Sequence, residues 1–504
     1  MFKGIRIGWG KLGPVSKGLL LVFGALQIPV LYLILNNIGC GFSLDRAMYE
    51  HLAQIKRVYE GNPIYVPMTF EFSAITYTPL YWWVCGWVWK LTGPGFFTPQ
   101  LVSLLCSGAL FYFTARFLWS NTSEDLFLTG FGLFCLSFVN LFTGFWLFNI
   151  GIDAMHYALT VAGFFFLRRE GPKGVALAAA CLSLGALTKQ TGLAYVVAGG
   201  AYVLLAHPRR FPHYLVPAAV LCGGGLAYLQ LSSGGLFYDI IVKFNRGPFW
   251  DGARLLNEVW GVQFLGQVAL LFLLSLWPVF SSRSFSEAWK QLLSPEYVMA
   301  ASGVVVACIA QPKFGSGNNH AVIALVGLII CGFRGLRRMT DRMGDPKWAD
   351  KTRQLFVVLQ AAALLVPAWT QAHHRLIDRY DRHKYEQIAE VFKKGWTIMY
   401  HYPYITSSFG YPEGGHHGSE MCRWINGRWS YANKPDFLSA PYREQRFDYV
   451  ILGASVVDQD DPTIKAILDN YAVVSTLPPH PTYPNTLMLR YPVFVLKAKR
   501  LGAR

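Results

Sequence analysis

The chain has 504 residues, 53% of them hydrophobic and only 15% charged, with a mean hydropathy of +0.30. Soluble globular domains carry about 25% charged residues, so the composition excludes an ordinary soluble protein and predicts a polytopic α-helical membrane protein. The formal charge of +16 sits in short loops between apolar stretches, which argues for a bilayer and against a nucleic-acid partner.

The basic loops orient the chain. Lys3, Arg6, Lys11 and Lys17 precede the first apolar stretch. Arg168, Arg169 and Lys173 share one loop, Arg209 and Arg210 another, and Arg334, Arg337, Arg338 and Arg342 a third. The positive-inside rule places these loops and the N-terminus in the cytoplasm. Predicted spans are 18–38, 77–91, 100–119, 126–148, 154–167, 174–189, 191–206, 214–232, 262–280, 297–311, 321–333 and 355–369. The first is too long, and too closely followed by others, to be a cleaved signal peptide. Several are shorter than the ~20 residues of a perpendicular span, as helices lining a protein interior can be. Asp45 and Asp153 both fall on the outer side, so an even number of crossings separates them, yet three candidates lie between. Either 77–91 is not a full span or 126–148 is a broken pair, and the total is 11 or 13.

Directly after the first span comes Ser43-Leu44-Asp45-Arg46. Ser43 can cap a following helix. Leu44, Met48, Leu52, Ile55 and Val58 or Tyr59 recur at helical spacing, with Arg46, Glu50, Lys56, Arg57 and Glu60 between them. That pattern predicts an amphipathic helix lying in the headgroup plane. Asp45 stands at its positive end, where a carboxylate stays ionised and can take a proton from a hydroxyl. The alternative is a helix N-terminal residue and no more. The turn Gly61-Asn62-Pro63-Ile64-Tyr65, then Glu71, then Tyr77-Thr78-Pro79-Leu80 complete an outer loop, 43–76. Glu71 is a second carboxylate or a metal ligand, or else a solvated loop acid.

Asp153 is embedded in apolar sequence, Phe148-Asn149-Ile150-Gly151-Ile152-Asp153-Ala154. An ionisable group at such depth is a functional candidate, unless it forms a structural pair with His156 or Lys189. Lys189 ends an apolar run on the outer side, against the positive-inside trend. Lys313 and His320 flank the Gly-rich turn Gly315-Ser316-Gly317-Asn318-Asn319, which opens a helix and suits an anion. Arg246 is a further outer cation. For each of these, snorkelling to headgroups is the plain alternative. His416 and His417 lack a carboxylate at helical spacing and make a poor metal site. Most cysteines lie in apolar spans, where they pack as small apolar residues; only Cys40 and Cys422 fall outside.

From about residue 373 the charge rises and the apolar runs shorten. Helices are expected at 385–394 and 463–471, and strands at 396–400, 447–452, 472–475, 486–491 and 493–497. Together they make a small α/β domain, 372–504, outside the membrane and following a membrane domain, 1–371.

The ordered set of Asp45 after the first span, Gly61-Asn62-Pro63-Ile64-Tyr65, Tyr77-Thr78-Pro79-Leu80, Ile152-Asp153, Thr188-Lys189 and Gly315-Ser316-Gly317-Asn318-Asn319-His320 resembles the GT-C glycosyltransferases. Within them it is similar to the polyprenyl-phosphate-sugar-dependent enzymes of bacterial envelopes, the protein mannosyltransferase and aminoarabinose transferase group. The likeness runs from residue 18 to about 369, with a soluble α/β tail of a type the group often carries. It implies an inverting transfer of a sugar from a polyprenyl-phosphate donor to a hydroxyl of an envelope lipid, glycan or protein, at the outer face of the plasma (inner) membrane. Asp45 would be the catalytic base, with Glu71 and Asp153 as further carboxylates. Lys189, Arg246, Lys313 and His320 would bind the donor's lipid phosphate. The one candidate cofactor is a divalent metal, Mg²⁺ or Mn²⁺. One departure stands out: many relatives carry two prolines, often beside a basic residue, where this chain has Tyr77-Thr78-Pro79. The rival is a lipid or solute transporter or an envelope assembly protein without transferase activity. A transporter would show internal repeats, and none is visible. A phosphoethanolamine transferase or an O-antigen ligase is a third class, the former wanting a metal cluster in the soluble domain.

Overall fold

The computed structural model describes residues 9–38, 46–67, 69, 72, 74–142, 147–169, 171–243, 265–310, 318–373, 377–400, 439–453, 461–482 and 491–499. The chain divides into two compact units. One comprises Met1–Leu35, Leu101–Ala227 and Phe249–His373, the other Asn36–Gln100, Tyr228–Pro248 and His374–Arg504.

The first unit is built of apolar helices. Pro14–Ile38, Phe97–Asn121, Pro208–Ser232 and Asn319–Asp341 are long and apolar enough to cross a bilayer, and the pair Phe285–Leu292 and Pro295–Ala310, bent by 67°, makes a fifth if taken as one span. Leu126–Leu141, Asp153–Leu167, Pro172–Thr188, Gly192–Ala206 and Val268–Phe280 are shorter and equally apolar. Each predicted span coincides with helix over most of its described residues. The longest extensions are at Pro346–His373, which starts nine residues before the predicted 355, and at Val322–Asp341, which runs eight residues past the predicted end at 333.

Glycine sets how closely three of these helices approach. A Cβ on Gly303 would lie 2.5 Å from the Ala324 nitrogen, and one on Gly327 would lie 2.6 Å from the Ala300 Cα. On the other side of the same helix, a Cβ on Gly332 would meet the Leu271 carbonyl at 2.8 Å, and one on Gly335 would fall 1.8 Å from the Leu274 carbonyl. Small residues allow this backbone approach, which is the main source of helix attraction where lipid supplies no hydrophobic drive. Ion pairs tie the basic ends. Arg334 bonds Glu296, Gln291 and, at 3.1 Å, Ser294. Asp125 accepts from Arg337 at 3.4 Å and Arg353 at 3.3 Å while capping the Leu128 amide.

In the second unit, helix Arg46–Tyr59 buries the expected stripe of Met48, Leu52 and Ile55. It also buries Tyr49, His51 and Gln54, so it is enclosed on more of its surface than a helix lying in headgroups. Much of that cover comes from helix Leu80–Thr92: Trp82 donates its indole N–H to His51 Nδ1 at 3.0 Å. With 13 residues, Leu80–Thr92 is about 20 Å long, short of the ~30 Å hydrocarbon core. Helix Leu126–Phe142 is continuous. Gly61 takes φ +78°, a conformation that glycine adopts without strain, and there the chain leaves the helix with the Asn62 amide bonded to the Arg57 carbonyl at 2.8 Å.

The C-terminal part of this unit is the expected α/β layer. Helix Arg379–Phe392 starts earlier than predicted because Asp378 and Asp381 form a reciprocal capping box. The strands β1 (Thr397–Met399), β2 (Tyr449–Gly453), β3 (Tyr471–Leu477) and β4 (Val493–Ala498) form one sheet in the order β1-β2-β4-β3. β1 and β2 are parallel, and the other pairs are antiparallel. Ile398, Val450, Leu452, Ile464, Ile467 and Leu496 fill its core. The predicted strand 486–491 falls, but for Tyr491, outside the described residues. The Asn36 amide pairs with both backbone groups of Ile377, at 3.2 and 3.1 Å, and so holds the chain where it enters the α/β part.

Gly335→Ala is expected to force the Gly335 and Leu274 backbones apart and cost about 2 kcal/mol, read as a lower melting temperature in detergent. Gly344→Ala, where a Cβ meets nothing within 4 Å, should leave it unchanged.

Candidate functional site

The site in the first unit starts from a buried loop. Residues 147–154 are all buried. The Leu147 amide donates to Asn140 Oδ1 at 2.9 Å, and the Leu147 carbonyl accepts from the Ser107 hydroxyl. Irregular backbone at membrane depth survives only when protein groups satisfy it in this way. The loop delivers Asp153 as the first residue of helix Asp153–Leu167, where the helix dipole favours a carboxylate.

Asp153 is 3% exposed, and its Oδ1 gathers donors from three helix ends. Lys189 Nζ lies 2.7 Å away, the Tyr157 hydroxyl 2.9 Å and Asn319 Nδ2 3.2 Å. Lys189, 1% exposed, is the first residue past helix Pro172–Thr188, whose extended backbone turns the side chain inward. Tyr157, one turn below Asp153, also reaches the Asn319 carbonyl, and its single proton serves one of the two acceptors at a time. Asn319 and half-buried His320 sit in the 3₁₀ turn Asn318–Ala321, which opens helix Val322–Asp341. Asn319 Oδ1 is buried with no partner among the described residues.

Of the predicted site residues, Asp153, Lys189 and His320 are described, while Asp45, Glu71, Arg246 and Lys313 lie outside the described residues, as do Ser43, Gly315–Gly317, His416 and His417. The structure joins Asp153 to Lys189, the pairing that stood as the structural alternative. His156 is not the partner, and its Nδ1 faces the Gly185 carbonyl at 3.0 Å instead. Sequence reasoning missed Tyr157 and Asn319. The signal for Tyr157 was its place four residues after Asp153, on the same helix face.

A second cluster lies in the α/β part. Asp378 Oδ1 caps the amides of Tyr380 and Asp381 at 2.8 and 3.1 Å, and its Oδ2 meets His480 Nε2 at 2.8 Å. His480 Nδ1 accepts from the Thr482 amide at 3.1 Å, so Nε2 carries the proton and donates. Burial opposes ionisation of Asp378, but the His480 bond and the helix amides outweigh it and hold the carboxyl below its ordinary value. Lys384 donates to the carbonyls of Pro478 and Tyr491. Burial pushes its ammonium down to about 8, against the opposing pull of Asp381. Asp378, Asp381 and His480 place one ligand atom each within 4.8 Å of one another, and they are the group among the described residues that could hold a metal ion. Sequence reasoning missed this cluster; the Asp-x-x-Asp spacing was the signal available for the cap, and none pointed to His480.

No protein-family profile matches the chain, and no curated protein matches it. Solved structures do. ArnT from Cupriavidus metallidurans bound to undecaprenyl phosphate is 12% identical with a TM-score of 0.59, over 97% of this chain and 99% of that one. The apo oligosaccharyltransferase of Archaeoglobus fulgidus is 10% identical with a TM-score of 0.52, over 97% of this chain and 75% of that one. The chain thus shares the fold of these structures, a helical membrane part with a small C-terminal sheet, as the resemblance led one to expect.

Asp153→Asn leaves the Lys189 ammonium buried without its counter-charge, and Lys189→Met strands the carboxylate. Each is expected to lower stability by about 3 kcal/mol. The double variant should be clearly more stable than the sum of the two, giving a coupling above about 1 kcal/mol in a double-mutant cycle. Additive losses in the melts would show that the pair is not coupled.

Lys384 gives a pH signature. Its folded pKa is below its unfolded value of 10.5, so from pH 8 upward the unfolded chain holds more protons and stability rises with pH. Melts at pH 7.5 and 9.5 should show that rise in the wild type relative to Lys384→Met.

Proposed function

We propose that this protein is an integral membrane glycosyltransferase that moves a sugar from a polyprenyl-phosphate carrier to a hydroxyl acceptor. The observation carrying this reading is the whole-length likeness to ArnT, a structure solved with undecaprenyl phosphate bound. The oligosaccharyltransferase likeness supports it too. In this reading 77–91 is not a full span, the N-terminus and the basic loops face the cytoplasm, and eleven spans leave Asp45 and the α/β domain, 372–504, outside the plasma (inner) membrane. The acceptor belongs to an envelope lipid, glycan or protein.

The transfer is drawn as a single inverting displacement. Asp45 takes the acceptor's proton, and the acceptor oxygen forms the new bond to the anomeric carbon. The bond from that carbon to the phosphate oxygen breaks, and the polyprenyl phosphate leaves as an anion. Cations aimed at the departing phosphate lower the barrier; Arg246, Lys313 and His320 are assigned that role. Lys189 belongs to the same set by position, but Asp153 already balances its charge. We therefore give Asp153 and Lys189 the task of fixing the turn that carries Asn319 and His320, rather than proton transfer. Glu71 is the reserve base. Mg²⁺ or Mn²⁺ would find its ligands in Asp378, Asp381 and His480, and the imidazole suits Mn²⁺ better than Mg²⁺. Those atoms are already engaged as helix cap and clamp, so no step is routed through a metal.

The test is turnover of a panel of polyprenyl-phosphate sugars by purified protein in lipid, wild type against Asp45→Asn. Donor consumption in the wild type and a loss of at least ~10²-fold in a folded variant are expected. Unchanged turnover in Asp45→Asn would move the base to Glu71, and no consumption of any donor would favour the transport reading.

A further inference from the structure

Some arginines near the basic ends of the helices are neutralised within the protein. Arg334 is paired with Glu296, and Arg337 and Arg353 with Asp125. Arg116, Arg168 and Arg169 differ. Among the described residues none of the three is ion-paired with a carboxylate. Yet they are held in place. The Arg168 guanidinium lies 5.5 Å from the centre of the Phe117 ring and donates to the Ser120 hydroxyl. Arg116 and Arg169 share the Phe165 ring, each at 5.9 Å, and Arg169 also lies 5.1 Å from Phe166. The Phe117 and Phe165 rings meet edge to face at 5.4 Å, so all three guanidiniums converge on one aromatic platform. Arg116 reaches the exposed Tyr112 hydroxyl at 3.3 Å. The backbone is fixed as well: a Cβ on Gly174 would lie 2.7 Å from the Arg169 carbonyl.

Like charges held around one group of adjoining rings repel one another. Ring faces offset part of that repulsion and supply no net negative charge. Guanidiniums fixed on rings, with no carboxylate partner among the described residues, keep a charge that an external anion can match. Planar guanidiniums favour phosphate, which they bind through paired N–H donors. Exposed Tyr112 and half-buried Phe113, Phe165 and Phe166 add apolar surface beside the charges, which suits a lipid and offers nothing to a free ion.

We propose that Arg116, Arg168 and Arg169 form a binding site for the headgroup phosphate of an anionic phospholipid in the leaflet facing the basic loops. The site is independent of the transfer reaction, and none of its residues belongs to the machinery assigned above.

The test is native mass spectrometry of the detergent-purified full chain with phosphatidylglycerol, phosphatidylcholine or inorganic phosphate. The wild type should retain phosphatidylglycerol about tenfold better than phosphatidylcholine. The triple variant Arg116→Gln/Arg168→Gln/Arg169→Gln should lose that preference, whereas Arg209→Gln/Arg210→Gln, which removes charge from another loop, should keep it. Equal retention of the two lipids by the wild type would overturn the proposal. So would a triple variant as selective as the wild type, an equal loss in the Arg209/Arg210 variant, or displacement of the lipid by millimolar inorganic phosphate. If the triple variant does not fold, Arg169→Gln alone decides: its side chain makes no hydrogen bond among the described residues, and it should lose about threefold in preference.

Discussion

One buried carboxylate organises the first unit. Asp153 lies where water cannot solvate it, so its charge must be met by protein groups, and the groups that meet it come from three helix ends. Lys189 closes one helix, Asp153 and Tyr157 open a second, and Asn319 precedes a third. None of these ends can shift without exposing an unpaired buried charge, whose penalty exceeds that of most packing defects. The turn bearing His320 inherits its position from this cluster. An interaction of this kind adds little net stability over an apolar core, but it restricts which arrangement of the ends is tolerated.

The arginines show the same electrostatics with two outcomes. Where a carboxylate sits on a neighbouring helix, as with Glu296 and Asp125, the guanidinium becomes an internal tie. Where aromatic rings take the carboxylate's place, as around Phe117 and Phe165, the guanidinium is positioned while its charge remains. A count of basic residues cannot separate the two; their neighbours do. In the second unit Asn36 imitates a strand partner for Ile377, and Asp378 caps the next helix while holding His480. The entrance to the α/β part is thus fixed by three successive polar contacts rather than by apolar packing.

Much of the architecture was legible in the sequence because a bilayer imposes strong local rules. Apolar runs, basic loops and the alternation of the C-terminal strands are all short-range signals. The stripe of Met48, Leu52 and Ile55 marked its helix correctly. That helix is more enclosed than a surface helix because His51 and Gln54, polar residues outside the stripe, are buried too, with Trp82 supplying a donor to His51. The predicted start of helix Arg379–Phe392 was late because its first turn is mostly charged, and only the Asp378–Asp381 box marks the true start.

What the sequence by itself determined was the class of the protein: a helical membrane chain with a small α/β tail, its spans, and a short roster of charged residues too costly to be incidental. Tertiary structure alone decided which of those charges belong together. Asp153 could have paired with His156, three residues away, yet it pairs with Lys189, 36 residues away, and with Asn319, 166 residues away. The physical reason is that burying a charge is a local cost, visible in one stretch of sequence, whereas the group that satisfies it is chosen by helix packing, which brings together residues far apart along the chain.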